Sequence, residues 1–189
     1  MTWDIENLDL AAAPIGGEGI IVEIDESKFG KRKYNRGHRV EGVWVVGGVE
    51  ITPERRMFAV SVQDRSADTL RAIIQEHVLP GTIVRTDLWR GYRALHDFGM
   101  EHQTVNHTDH FVDRVTGVHT DTIEGTWNGM KMHICRQHFN REFIDGALME
   151  FIWRRRYADD LWNRLPRAMQ HVIYIVVDEA ENVDPNDNM

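Results

Sequence analysis

The stretch "GIIVEID", residues 19–25, is the point from which the fold can be built outward. Its isoleucines and valine are typical of a strand buried in a sheet. Side chains alternate between the two faces of a strand, so Glu23 and Asp25 share one face, opposite Val22 and Ile24. The sequence therefore predicts a buried strand that ends at Asp25 and carries two carboxylates on one face.

The elements that follow this strand predict a mixed sheet. Strands are predicted over 40–51, 56–62, 83–87 and 102–107, and helices over 66–78, 88–99, 121 to about 135, and 141–165. Consecutive strands favour antiparallel hairpins, whereas strand–helix alternation favours parallel additions. The order predicts an α/β fold with a five-stranded mixed sheet flanked by helices.

The composition excludes several classes of protein. A chain of 189 residues is long enough for one domain with a sizeable core. No apolar run reaches the roughly 18–20 residues of a membrane span, and the N-terminus does not resemble a secretory signal. Cys135 is the single cysteine, which excludes an internal disulfide and a cysteine-rich zinc module. We expect an intracellular protein with no membrane partner: nuclear in a eukaryote, cytoplasmic or nucleoid-associated in a bacterium.

The net charge of −8 is unevenly distributed. Residues 1–26 contain seven acids and residues 178–189 contain five, and neither segment has a Lys or Arg. The remainder holds all 22 bases against 30 − 12 = 18 acids, so it is mildly basic and compatible with a DNA partner. We predict a loose acidic lead-in over 1–17, a folded domain over 18–177 and a disordered acidic tail over 178–189.

Basic residues are densest directly after the first strand. The segment 28–39 has two glycines and no acid, and is typical of an exposed basic loop or hairpin tip. We expect it to contact DNA phosphates through Lys28, Lys31, Arg32, Lys33, Arg36 and Arg39. The run "RRR" at 154–156 is either a phosphate-facing patch or a solvated helix face.

Three carboxylates are candidates for a metal site. Asp25 and Asp87 lie at predicted strand ends, where open sheets place their sites, and Glu124 lies in the first turn of a later helix. Carboxylate oxygens suit Mg²⁺. Each acid also has an ordinary role, since aspartates form turns and a first-turn Glu favours the helix dipole. Asp121 could rival Glu124, although it is better placed to cap the helix.

The helix that carries Glu124 has a clear apolar stripe. Ile123, Trp127, Met130 and Ile134 recur at helical spacing and are predicted to be buried. Glu124 lies at the edge of this stripe. Lys131 returns to nearly the same side, where it could hold a DNA phosphate or be a solvated lysine.

Several motifs, in order, resemble Merlin-type transposases and their bacterial ISXO-type relatives. They are "VEIDESKFGKRKYNRGHRVEGVWVVGG", "LPGTIVRTDLWRGYRAL", "TVNHTDHFVDRVTGVHTDTIEGTWNGMK" and "EFIWRRRYADDLWNRL", within about residues 15–177. The resemblance implies a ribonuclease H-like fold and DDE chemistry with Asp25, Asp87 and Glu124 as the triad. It also implies two Mg²⁺ or Mn²⁺ ions, no organic cofactor, and a homo-oligomer assembled on DNA. Asn106, His107 and His119 match family positions, which fits residues that line the site, residues that support those lining it, or residues that form turns.

Two main functions follow as hypotheses. The first is a transposase domain that cleaves DNA and transfers the strand, and the second is a catalytically silent module, derived from a transposase, that binds nucleic acid or protein. The intact acids favour the first. Relatives usually carry an N-terminal DNA-reading region, and no cysteine pair precedes residue 15, which favours the second. A ribonuclease H-like nuclease without strand transfer is a third hypothesis.

Overall fold

A computed structural model describes residues 13–30, 42–87, 98–105 and 121–164. Within these ranges the strands are β1 (Ile15–Gly16), β2 (Ile21–Phe29), β3 (Val43–Glu50), β4 (Met57–Val62), β5 (Val78–Leu79), β6 (Ile83–Asp87) and β7 (Glu101–Val105). The helices are α1 (Ala67–His77), α2 (Asp121–His133) and α3 (Ile144–Arg156), with a 3₁₀ turn at Arg136–His138. No helix in these segments is long and apolar enough to cross a membrane.

The main sheet has five strands in the order β4-β3-β2-β6-β7. The pairs β2–β3 and β3–β4 are antiparallel, whereas β2–β6 and β6–β7 are parallel. The predicted mixed five-stranded α/β sheet flanked by helices is confirmed, and it is consistent with a ribonuclease H-like fold.

The two faces of the sheet bury separate cores because strand side chains alternate. On one face, Val22 and Ile24 pack with Leu70 and Ile74 of α1. On the other, Phe29 packs with residues of α2 and α3. The predicted apolar stripe of α2 is confirmed, since Ile123, Trp127, Met130 and Ile134 are all buried. Burial against the sheet thus fixes the rotation of α2 about its own axis.

Helix α1 follows its sequence signals closely. The hydroxyl oxygen of Ser66 accepts a hydrogen bond from the backbone N–H of Thr69, as expected of an N-cap, and this bond typically contributes about 1 kcal/mol. Leu70, Ile73, Ile74 and His77 form the buried face, as the spacing predicts. This helix covers the sheet face opposite Asp25.

The first strand is longer than its apolar run predicts. The prediction ends it at Asp25, but β2 continues to Phe29 because the antiparallel ladder with β3 runs from Val22 opposite Glu50 to Phe29 opposite Val43. The prediction of a loop or hairpin tip from residue 28 is therefore wrong for Lys28 itself, which lies in β2 opposite Trp44. Asp25 lies in the middle of the strand.

Two segments near the ends of the described chain also differ from expectation. Ile15 and Gly16, within the stretch predicted to be loose, pair in parallel with Val78 and Leu79. The closing helix, predicted over 141–165, spans Ile144–Arg156. Asp159 and Asp160 lie three and four residues beyond its last residue, and carboxylates are unfavourable near the C-terminal end of a helix dipole.

Candidate active site

Three polar contacts join β2 to α2 in a ladder. A carboxylate oxygen of Glu23 accepts the backbone N–H of Ile123 at 2.9 Å. The indole N–H of Trp127 donates to Oδ2 of Asp25 at 3.0 Å, and the ammonium of Lys131 donates to Oγ of Ser27 at 2.6 Å. The contacts step by two residues along the strand and by four along the helix.

This ladder arises from a match between the two periods. Two residues of a strand rise roughly 6.6 Å, and four residues of an α-helix rise about 6 Å. A helix lying along a strand therefore meets every second strand residue with every fourth helix residue. The odd-numbered face of β2 is polar at three successive positions, and each position finds its partner on α2.

Glu23 joins the ladder at its most buried point. Its side chain is fully buried, and the N–H it accepts belongs to the first turn of α2, where helix donors lack an intrahelical partner. A strand residue thus caps the helix that carries Glu124. The bond fixes where α2 begins along β2.

Asp25 is surrounded by other carboxylates. The last pair of the β2–β6 ladder is Glu23 with Arg85, and continuing that parallel register by two residues places Asp87 beside Asp25 on the same face. Burial raises the pKa of Asp25, and the negative charges of Asp87 and Glu124 raise it further. Hydrogen bonds from the backbone of Glu26 and from Trp127 oppose this rise. Two acids from two other elements therefore act on Asp25.

Lys131 is the cation of this group. The residue is exposed, but its ammonium bonds to Ser27 and lies 5.4 Å from the centre of the Phe29 ring. Burial lowers the pKa of Lys131, and the charge of Asp25 counteracts that shift. The lysine lies on the same flank of α2 as Glu124.

Comparison with known proteins identifies the family of this chain. Residues 10–156 match the family described as the ISXO2-like transposase domain. The chain belongs to that family. The matched range contains Asp25, Asp87 and Glu124. An uncharacterized transposase-like protein of Haemophilus influenzae is 33% identical over 102 residues, which are 52% of this chain and 80% of that protein.

Sequence reasoning missed the roles of two residues in this transposase domain. It places Glu23 on the face of Asp25 without a role, and Trp127 in the apolar stripe alone. The signal is present, since polar residues at 23, 25 and 27 alternate along a strand while 123, 127 and 131 recur every fourth residue of a helix. The sequence does not show how β2 and α2 are aligned with each other, so it cannot show that these residues meet.

Several predicted site residues lie outside the described segments. They are Lys31, Arg32, Lys33, Arg36, Arg39, Asn106, His107 and His119. Lys28 is described, and its ammonium lies 5.5 Å from the centre of the Trp44 ring. As an even-numbered residue of β2, Lys28 points to the face opposite Asp25.

The family resemblance implies bound metal ions, so we ask whether the described side chains could hold them. In the described part of the chain, no group of three or more His, Cys, Asp or Glu side chains is gathered closely enough to hold a metal ion. The donor chemistry of Asp25, Asp87 and Glu124 nevertheless suits a hard divalent cation. Burial raises the pKa of Asp25, and the added repulsion from Asp87 and Glu124 favours separation of Asp25 from these acids without a cation.

Removal of the indole N–H should change the titration of Asp25. Because that N–H stabilises the ionised carboxylate, we expect Trp127→Phe to raise the pKa of Asp25 above its already raised wild-type value. A ¹³C NMR titration of the carboxyl carbon measures this. Trp153→Phe, which replaces an indole that packs beside Tyr157, is the control and should leave Asp25 unchanged. An unaltered pKa in Trp127→Phe would contradict the bond.

Neutralising Asp25 should stabilise the metal-free domain. The folded chain holds the proton of Asp25 more tightly than the unfolded chain does, so its contribution to stability is present below the ordinary pKa of 3.8 and is lost as pH rises through the raised value. At neutral pH the ionised carboxylate costs stability. We expect Asp25→Asn to raise the melting temperature, by roughly 2–4 °C for each kcal/mol relieved.

The control for this melting experiment is Asp145→Asn, at an exposed position in the first turn of α3, which should not raise the melting temperature. The gain of Asp25→Asn should shrink as pH falls towards 3.8, because the wild-type carboxyl is then protonated. A lower melting temperature for Asp25→Asn at neutral pH would show that its hydrogen bonds outweigh its desolvation and repulsion.

Proposed function

We propose that this transposase domain cuts DNA at the end of a mobile element and joins the freed strand to target DNA, with Asp25, Asp87 and Glu124 holding divalent Mg²⁺ or Mn²⁺ ions, two in number. In this proposal the domain is a ribonuclease H-like DDE enzyme of the Merlin type. The observation that carries it is the setting of Asp25, where burial raises the pKa of the carboxyl group and the negative charges of Asp87 and Glu124 raise it further.

The reaction has two phosphoryl-transfer steps. Water attacks a phosphodiester, the P–O3′ bond breaks and a 3′ hydroxyl is released. That hydroxyl then attacks a target phosphodiester, whose own 3′ oxygen leaves. Divalent ions, when bound, activate the attacking oxygen and stabilise the leaving oxygen.

The chain's own residues would prepare the site for this chemistry. The indole of Trp127 orients the carboxylate of Asp25, and Asp87 ends β6, the strand that pairs with β2 as far as Glu23 and Arg85. Ser27 holds the ammonium of Lys131 near Asp25, where a DNA phosphate would find a positive charge. A divalent ion would draw the three acids together by cancelling their repulsion.

DNA is the partner in this proposal. Phosphate contacts would come from Lys131 and from Lys31, Arg32, Lys33, Arg36 and Arg39 of the basic segment, whereas Lys28 points to the opposite face of the sheet. Such contacts hold and orient DNA without reading its sequence. A homo-oligomer assembled on DNA would let two copies act on two element ends.

The deciding experiment is a cleavage and strand-transfer assay with purified protein, Mg²⁺ or Mn²⁺, and DNA that carries the terminal repeats flanking the gene. We expect nicked and joined products that need the divalent ion. Metal-dependent DNA binding without any product would overturn the proposal.

A second candidate is the catalytically silent module that binds nucleic acid or protein. Glu124 is exposed, and Asp25 is already engaged by Trp127, so this arrangement is compatible with a chain that keeps the fold and not the chemistry. The same assay separates the two, because the module would bind DNA or protein and yield no product even with Mn²⁺.

A further inference from the structure

A cavity of about 390 Å³ lies beside α2, and Asp25, Asp87 and Glu124 are not among the residues that line it. By helix geometry, its α2 residues Thr122 and Thr126 lie on the side of the helix opposite to Glu124 and Lys131, whereas Asp121, three residues before Glu124, lies nearer to that acid. The cavity is lined by Arg55, Asp121, Thr122, Gly125, Thr126 and Arg155.

Two arginines reach this cavity from different elements. Arg55 belongs to the turn between β3 and β4, where its N–H donates to the backbone oxygen and to the hydroxyl of Thr52. It adopts a left-handed backbone conformation with φ of 46°, which is uncommon for a residue with a side chain. Arg155 lies in the last turn of α3 and is half-buried. Both guanidinium groups are thus carried by well-defined backbone.

The arginine run at 154–156 is divided by the helix. Arg154 is exposed and pairs with Glu150 one turn earlier, at 2.8 Å. Arg155, one residue on, lines the cavity instead. The sequence leaves open whether this run faces phosphate or solvent, and the structure gives the two neighbours different surroundings.

The electrostatics of the cavity favour an anion. Burial lowers the pKa of Arg155, and the positive charge of Arg55 lowers it further. Within the described segments, no carboxylate forms an ion pair with either guanidinium. Asp121 contributes one negative charge to the wall against two positive charges. An anion between the arginines would offset both the repulsion and the burial.

We propose that Arg55 and Arg155 bind a backbone phosphate of DNA in this cavity. Guanidinium groups match phosphate geometry and donate paired hydrogen bonds to it. Lys131 offers a positive charge on the other flank of α2, so a duplex crossing this helix would meet a cation on each side. This inference rests on the proposed function, since it takes DNA as the ligand.

The test measures DNA binding to the full chain as a function of salt. The slope of log K against log salt falls by about one unit for each DNA phosphate that the protein no longer neutralises. We expect Arg55→Gln/Arg155→Gln to reduce the slope by about one unit. The matched control, Arg71→Gln/Arg154→Gln, removes the same charge from two positions that have carboxylate partners, and should keep the wild-type slope. Thermal melting checks that both variants fold.

A conservative variant separates the effect of the positive charge from the effect of the paired hydrogen-bond donors. Arg155→Lys keeps the charge but not the paired donors, so the slope should remain while affinity falls. An equal slope for wild type and the Arg55/Arg155 double variant overturns the site. Stabilisation by inorganic phosphate together with an unchanged slope also overturns it, because the cavity would then take a free anion. Loss of cleavage in the carboxylate variants does not bear on this slope, whereas absence of any DNA binding by wild type overturns both proposals.

Discussion

Asp25→Asn, Asp87→Asn and Glu124→Gln are each expected to lower metal-dependent DNA cleavage by about a thousandfold or more. Each change keeps the shape of the side chain and removes one anionic ligand. A metal ion stabilises the transition state by several kcal/mol, and each loss of about 1.36 kcal/mol lowers the rate about tenfold. Initial rates of nicking on a labelled duplex, at saturating Mn²⁺, measure the effect.

Metal binding should fail in the same variants. A cation that binds only the folded state raises the melting temperature of wild type, and this gain should disappear with each carboxylate. Asp25→Asn should therefore melt higher than wild type without metal and gain nothing when metal is added. A full metal-dependent gain in both Asp25→Asn and Asp87→Asn would rule out the shared site.

Asp121→Asn is the matched control in the same helix. Asp121 lies three residues before Glu124 and is exposed. It lines the cavity that contains Arg55 and Arg155. Its substitution should leave the cleavage rate within a few-fold of wild type. If Asp121→Asn abolishes cleavage while Glu124→Gln does not, the third ligand has been assigned to the wrong acid.

Local patterns are enough to predict most of the fold. The strand over 83–87 appears as Ile83–Asp87, and the helix that begins at 121 appears as Asp121–His133. Both have boundaries set by residues adjacent in sequence, namely a short β-branched run and an apolar stripe at helical spacing. The stripe also fixes which way Glu124 and Lys131 point, because burial of one helix face determines the directions of the others.

The features that the sequence does not predict depend on contacts between segments that are distant in the chain. Asp25 is predicted at a strand end because the apolar run stops there, but pairing with β3 carries the strand four residues further to Phe29. The role of Trp127 depends on its contact with a residue 102 positions away. Arg155 likewise lines a cavity with Arg55, which belongs to a turn far earlier in the chain. Spacing within one segment contains no information about such contacts.

Gly47 leaves room for the indole of Trp127 beside Asp25 because it has no side chain. It lies opposite Asp25 in the β2–β3 ladder, and a Cβ added there would be 2.6 Å from Cη2 of Trp127 and 3.0 Å from the carbonyl oxygen of Phe58. Trp127 is buried, so the indole has little room to move aside. The absence of a side chain at this position lets the indole lie across β3 with its N–H directed at Asp25.

Gly47→Ala should therefore displace Trp127 and weaken its bond to Asp25. Overpacking of this kind costs about 1–3 kcal/mol of stability. Loss of a group that orients a metal ligand typically costs about 10–100-fold in activity or metal affinity. We expect Gly47→Ala to lower both the melting temperature and the cleavage rate, the latter measured well below the melting transition.

Gly48→Ala is the control that separates packing from orientation. Gly48 is the next residue of β3, so its added Cβ would point to the opposite face of the sheet, against the ring of Phe58. It should cost a similar amount of stability and leave the pKa of Asp25 and the cleavage rate near wild type. Equal losses of activity in the two alanine variants would mean that destabilisation alone explains both. A selective loss in Gly47→Ala, with a raised Asp25 pKa like that of Trp127→Phe, would show that the glycine acts through the indole.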